Sequence, residues 1–247
     1  MLSSSSSKFI KSLQLKKYRK EHSCFFVEGR INVLEVLCSD FVVKTVLVTA
    51  EYQKEVEKVV QNGVEIIVVK INDLEKIGTY KSNNFGLAVV EMPNYATIDF
   101  SVDSWSLAFD DINDPGNLGT IVRTADWFGI KNIYCSLESV DFYNPKVINS
   151  TKGSFTRVKI HYVDLAQFLA DKHVVSAEMN GRDLYQFEWP KKGVLLMGNE
   201  SHGVSSALSG LCSSKITIPK LGGAESLNVS IATAIICSDI FAKRRPK

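Results

Sequence analysis

The stretch Ser106-Leu107-Ala108-Phe109-Asp110-Asp111-Ile112-Asn113-Asp114-Pro115-Gly116-Asn117-Leu118-Gly119-Thr120-Ile121-Val122-Arg123 reads as strand, turn and helix in immediate succession. Ser106 to Phe109 is a short apolar strand, Asp110-Asp111 ends it, and Pro115-Gly116 marks a turn. Asn117 suits the N-cap of a helix running to Phe128. Leu118, Ile121, Val122, Ala125 and Phe128 repeat at i, i+3, i+4 and i+7, which gives that helix one core-facing stripe. At about 100° per residue, Arg123 falls on the opposite face with Thr120 and Trp127 as neighbours. An ordinary exposed arginine fits that position, and so does a clamp for a phosphate or hydroxyl beside a helix N-terminus.

Two further loops share this build. Val194 to Met197 is a buried strand running into Gly198-Asn199-Glu200-Ser201-His202-Gly203, where glycine lets a ligand approach the backbone. The plain alternative is a strand-to-helix turn with a solvated Glu200 and an incidental His202. Ile218-Pro219-Lys220-Leu221-Gly222-Gly223-Ala224-Glu225-Ser226-Leu227-Asn228 leads into Asn228 to Phe241, a helix apolar almost all round and therefore buried. Ser226 and Asn228 fit helix caps, and equally a polar loop that presents backbone N–H groups to a small ligand.

Outward from these joints, the chain alternates strands and helices. Val42 to Val48, Val64 to Val69 and Phe85 to Glu91 read as strands. Ile31 to Cys38, Glu51 to Gln61 and Asp73 to Ile77 read as helices. The pattern makes a small α/β domain over residues 1–95. Pro93 and a polar run break it, so 96–105 is taken as a linker and 106–247 as a second α/β domain. The serines Ser3 to Ser7 read as a low-complexity, disordered start.

The chain has 247 residues, 45% of them hydrophobic, enough to bury a core without a disulfide or metal staple. Net charge is only +2, so bulk charge favours no partner. The five cysteines (Cys24, Cys38, Cys135, Cys212, Cys237) form no CxxC pair, and with four histidines this leaves no metal framework. No apolar run nears the ~20 residues needed to span a bilayer, and the start lacks a signal-peptide core. A protein of the reducing cytoplasm is expected. No GxGxxG follows a strand and no GxxxxGK[ST] occurs, which argues against a dinucleotide dehydrogenase and a P-loop nucleotidase. Charge is locally uneven: seven basic residues (Lys8, Lys11, Lys16, Lys17, Arg19, Lys20, Arg30) face Glu21 and Glu28 between positions 8 and 30. With Phe9, Ile10, Leu13 and Tyr18 among them, a basic amphipathic helix is expected, either as a solvated face or as a nucleic-acid footprint. Lys243-Arg244-Arg245-Pro246-Lys247 is a second basic cluster.

In this order, DINDPGNLGTIVRTADWFG (111–129), LLMGNESHGVS (195–205) and IPKLGGAESLNVSIATAI (218–235) resemble the signature motifs of the SpoU (TrmH-like) group of SPOUT RNA ribose 2′-O-methyltransferases. SLNVSIA is the most specific of them. KYRKEHSCFFVEGRINVLEVL (17–37) resembles the small RNA-binding domain that precedes the catalytic domain in many members. Lys220 departs from the pattern, which often has Met after Ile-Pro. The resemblance implies a C-terminal SPOUT domain with a deep trefoil knot and a mostly parallel sheet, S-adenosylmethionine as cofactor, a homodimer, and no metal. It implies cofactor contacts at Met197, Gly198, Asn199, Ile218 and Leu227, and a reaction site lined by Asn117, Arg123, Glu200, Ser226 and Asn228. Lys16, Lys17, Arg19, Lys20 and Arg30 would bind RNA, ribosomal RNA before transfer RNA. Arg123 is often proposed to activate the ribose hydroxyl. Because a guanidinium keeps its proton in proteins, a clamp on the flanking phosphate and developing alkoxide is preferred here. The alternatives are a non-catalytic RNA-binding or assembly protein that retains the fold, and a small-molecule methyltransferase, for which a basic N-terminal helix has no use.

Overall fold

A computed structural model describes residues 2–94 and 104–243. The chain forms two compact units, Met1–Ala96 with Asp141–Thr156, and Thr97–Val140 with Arg157–Lys247. Most of the expected 96–105 linker, like tail residues 244–247, lies outside the described residues.

The first unit contains α1 (Ser4–Ser12), α2 (Lys16–His22), β1 (Cys24–Glu28), α3 (Arg30–Leu37), β2 (Val43–Val48), α4 (Ala50–Val56), β3 (Glu65–Val68), α5 (Ile71–Ile77) and β4 (Gly86–Glu91). The strands pair in the order β1-β4-β2-β3, antiparallel except for β2 with β3. The serine run is helical, against expectation. Ser3 Oγ accepts from Ser6 N at 3.0 Å as an N-cap, and burial of Ile10 and Leu13 anchors the helix that follows.

The expected single basic helix is two helices, and Arg19 explains the break. It is buried, donating from Nη1 to the carbonyls of Leu13 and Gln14, each at 2.8 Å, and from Nε and Nη2 to Asp141. Those carbonyls fall where α1 has ended, and the guanidinium satisfies them. The segment carrying Asp141, expected in the second domain, belongs to this unit. Its helix α7 (Pro145–Thr151) follows Tyr143, which packs on Phe25 at 4.6 Å, and Asn149 Nδ2 donates to the buried Glu28 at 2.9 Å.

The second unit contains β5 (Trp105–Phe109), α6 (Pro115–Trp127), β6 (Asn132–Cys135), β7 (Lys159–Tyr162), α8 (Leu165–Leu169), β8 (Val174–Asp183), β9 (Gly193–Met197), α9 (Ser206–Ser209), β10 (Ser214–Thr217) and α10 (Val229–Ala242). The strand order is β10-β8-β9-β5-β6-β7, and every pair is parallel. β5 and β9 are the central pair, buried along their whole length, as suits strands covered on both faces. From β5 the chain moves outward through β6 and β7, and β8 to β10 build the other half. The direction of winding therefore reverses between β5 and β9. In such sheets ligands bind at the carboxyl ends of the strands flanking that reversal.

Candidate active site

β5 ends at Phe109 beside Met197, where β9 ends, and Asp110 N donates to Met197 O at 2.9 Å. All three polar loops open from this region or feed the helix beside it. The N-cap of α6 is Asp114 rather than Asn117. Asp114 Oδ1 accepts from Asn117 N at 2.7 Å, and Pro115 occupies the first turn, where its missing N–H costs nothing. The side chain of Asn117 is thereby released for another task.

It stands between the other two loops. Asn117 Nδ2 donates to Glu200 Oε1 at 2.9 Å, and Asn228 Nδ2 donates to Asn117 Oδ1 at 2.9 Å. Asn228 also caps α10, its Oδ1 accepting from Ser230 N at 2.9 Å and from Ser230 Oγ at 2.6 Å. Three of the five residues expected at the reaction site thus form one continuous side-chain chain, Glu200–Asn117–Asn228, across 111 positions of sequence. Arg123 and Ser226 are exposed and hydrogen-bond to no described residue. On α6, Arg123 lies six residues from Asn117, about 9 Å along the axis and about 120° around it.

The first two loops are joined a second time by residues that the motif reading passed over. Asp110 Oδ2 accepts from Ser205 N at 2.8 Å. Asp111 holds a left-handed backbone (φ 58°), and Asn199 Nδ2 donates to its carbonyl at 2.8 Å and its Oδ2 at 3.2 Å. His202 Nε2 lies 3.8 Å from the same carboxylate. The available sequence signal was a pair of carboxylates at the carboxyl end of a buried strand.

The expected cofactor residues divide. Met197 is buried at the strand end, Gly198 and Ile218 are half-buried, and Leu227 is exposed. Asn199 is spent on the loop itself. Its side chain bonds Asp111 and Ser201 N, and its backbone pairs in both directions with Gly203. Gly198 is required by that closure, since a Cβ there would sit 2.0 Å from the Gly203 carbonyl carbon. The third loop differs. Among the described residues, no N–H of residues 220–227 donates to a backbone carbonyl, and a Cβ on Gly222 or Gly223 would meet nothing within 4 Å. A loop following Ile218 whose backbone donors are unpaired among the described residues suits a small polar ligand such as an adenosyl group. Among the described residues, no group of three or more His, Cys, Asp or Glu is placed to hold a metal ion.

The expected RNA-binding residues also divide. Lys16, Lys17 and Lys20 are exposed on α2, and Arg30 is exposed in a bidentate pair with Glu55 at 2.5 and 3.0 Å. Arg19 is a correction: buried and fully engaged, it is a fold element and cannot reach a phosphate.

Residues 104–238 match the model of the SpoU rRNA Methylase family, and residues 5–87 match an MRM3-like substrate binding domain. The chain is 29% identical over 232 residues to 23S rRNA (guanosine(2553)-2′-O)-methyltransferase of Bacillus subtilis strain 168, covering 92% of each. A putative RNA methyltransferase of the TrmH family from Porphyromonas gingivalis superposes with a TM-score of 0.86 at 33% identity, covering 97% of this chain and 98% of that one. An AdoMet-bound rRNA methyltransferase from Sinorhizobium meliloti superposes with a TM-score of 0.87 at 28% identity, covering 100% and 97%. No helix among the described residues is long and apolar enough to cross a membrane. With its three loops meeting at the carboxyl ends of β5 and β9 and the family model spanning more than half its length, the chain belongs to the SpoU rRNA methylase family.

Proposed function

We infer that this protein is an S-adenosylmethionine-dependent RNA ribose 2′-O-methyltransferase acting on ribosomal RNA. The observation that carries this reading is the Glu200–Asn117–Asn228 chain, which ties the three family loops into one polar site on the family's scaffold. The substrate assignment is supported by the relative from Bacillus subtilis, and the cofactor by the AdoMet-bound relative from Sinorhizobium meliloti.

When bound, S-adenosylmethionine supplies an electrophilic methyl group on a sulfonium. Gly198, Ile218, Leu227 and the open backbone of residues 220–227 would hold it. Asn117, between Glu200 and Asn228, fixes the loop spacing before substrate arrives, so orientation is not bought at the moment of reaction. Arg123, whose side chain has no hydrogen-bond partner among the described residues, would grip a phosphate and stabilise charge growing on the ribose 2′-oxygen. Ser226, beside Leu227, would orient that hydroxyl. Lys16, Lys17 and Lys20 would draw the RNA by its phosphates.

The knotted path and the homodimer belong to the same proposal. Leu227 and Ile231 are 49% and 53% exposed at the start of α10, apolar surface that a second copy would cover. Five free cysteines suit cytoplasmic work.

Calorimetric titration with S-adenosylmethionine, followed by mapping of 2′-O-methyl sites in total RNA with and without the gene, tests the reading. Cofactor binding and one lost ribosomal methylation are expected. Absence of cofactor binding would leave a non-catalytic RNA-binding protein.

A further inference from the structure

Trp127 is 85% exposed, and no other Trp, Tyr or Phe among the described residues is as open to solvent. It closes α6 one turn beyond Arg123, on the face opposite the helix's buried stripe. The ring contributes nothing to the fold, since it makes no ring contact or hydrogen bond with a described residue, and alanine is the better helix former. Its presence therefore calls for a partner outside the chain.

The surroundings favour one kind of partner. Thr120 Oγ1 bonds back to Gly116 O at 2.9 Å and Thr124 Oγ1 to Thr120 O at 3.2 Å, so this helix face offers only a guanidinium and an indole. Past the helix end Lys131 is exposed, and Arg157 holds Asp126 at 3.0 Å, neutralising the acid beside the ring. The exposed apolar residues Leu227 and Ile231 belong to the start of α10 and the loop before it. A tryptophan that anchors a protein interface sits in an apolar core, whereas this one shares its exposed helix face with Arg123, Thr120 and Thr124. Cations that track phosphates, set beside a ring on which bases stack, make a single-stranded RNA site.

We propose that Trp127 is a stacking platform for an unpaired base of the RNA, next to the nucleotide whose phosphate Arg123 holds. The inference rests on the proposed function and adds that the RNA is unpaired at the site. Any base offers a π-face, so the platform contributes affinity for single strands with little sequence preference.

The test uses the full chain, a ten-nucleotide oligoadenylate and an RNA duplex of equal length. Trp105 is buried and Trp189 half-buried, so Trp127 dominates the solvent-exposed emission. Oligoadenylate should quench that emission and the duplex should not; Trp127→Phe should abolish the optical response, and Trp127→Ala should weaken oligoadenylate binding about tenfold. Equal oligoadenylate binding by the wild type and Trp127→Ala overturns the inference alone, since calorimetry with S-adenosylmethionine still reports on the proposed function. An equal response to duplex overturns the unpaired base. Protection of Trp127 from acrylamide in the free protein, with Trp127→Ala altering the sedimentation coefficient, assigns the ring to a second copy and overturns it as well. If neither protein binds RNA, this inference falls together with the function on which it rests.

Discussion

The side-chain amide of Asn228 donates to Oδ1 of Asn117 at 2.9 Å, while Asn228 Oδ1 caps the first turn of α10. Each end of each amide has a different task, because Asn117 Nδ2 is in turn given to Glu200. Only a group with one donor and one acceptor can stand where Asn117 does. Asn117→Asp keeps the shape but sets a carboxylate against Glu200, so methyl transfer should fall at least about tenfold, with like-charge repulsion added to a lost hydrogen bond. Asn117→Ala and Asn228→Ala should show a coupling of about 1 kcal/mol in a double-mutant cycle on kcat/KM. Additive effects would mean that the contact in the structure does not act in catalysis.

Arg123→Ala should abolish methyl transfer and spare cofactor affinity, because its side chain is on α6 while the proposed cofactor residues lie on the second and third loops. The loss should be on the order of 3 kcal/mol in transition-state stabilisation, as for donors to a developing oxyanion. Arg123→Lys should rescue little, since an ammonium cannot reproduce a planar fork. Methyl incorporation into RNA beside cofactor calorimetry separates the roles. Near-full rate in the Lys variant rules out bidentate clamping, and lost cofactor binding in the Ala variant moves Arg123 to the cofactor site.

The basic cluster near the N-terminus should divide by function. Arg19→Ala leaves the half-buried Asp141 without its cation and the carbonyls of Leu13 and Gln14 without a donor, a loss of about 3 kcal/mol read in urea unfolding. Lys16→Ala with Lys17→Ala should leave stability unchanged, weaken RNA binding and flatten its dependence on salt. An unchanged salt slope in that double variant removes α2 from the RNA contact.

Much of the second unit was legible because its strand-to-helix joints are local. Apolar runs end at Asp110 and Gly198, and helix periodicity starts within a few residues of the first joint. The N-cap lies three residues before the expected one because Asn and Asp both cap well, and only the observed bond from Asn117 N to Asp114 chooses between them. Arg19 could not be told from its exposed neighbours, since its partner Asp141 is 122 positions away. For the same reason the assignment of residues 141–156 to the first unit was hidden, as it depends on Tyr143 and Asn149 meeting Phe25 and Glu28. Glu200, Asn117 and Asn228 were expected from motifs, but their mutual hydrogen bonds depend on tertiary approach that no periodicity encodes.

Asp111 separates backbone strain from bracing. Its φ of 58° is a conformation glycine adopts freely and alanine at a cost of about 1 kcal/mol, and its carboxylate and carbonyl receive the Asn199 amide next to Glu200. Asp111→Gly should relieve the strain while losing the carboxylate contact, whereas Asp111→Ala should lose the contact and keep the strain. The Ala variant should therefore unfold at a lower temperature than the Gly variant. Both should lose methyl transfer to a similar degree, because in both Asn199 no longer has the Oδ2 acceptor that steadies the loop carrying Glu200. With S-adenosylmethionine saturating, the loss should appear in kcat more than in the KM for RNA, as expected when a residue shapes the site rather than binding substrate. Wild-type kcat in the Gly variant would show that the second loop holds Glu200 without the Asp111 carboxylate, through the Asn117 contact and the Asp110–Ser205 bond.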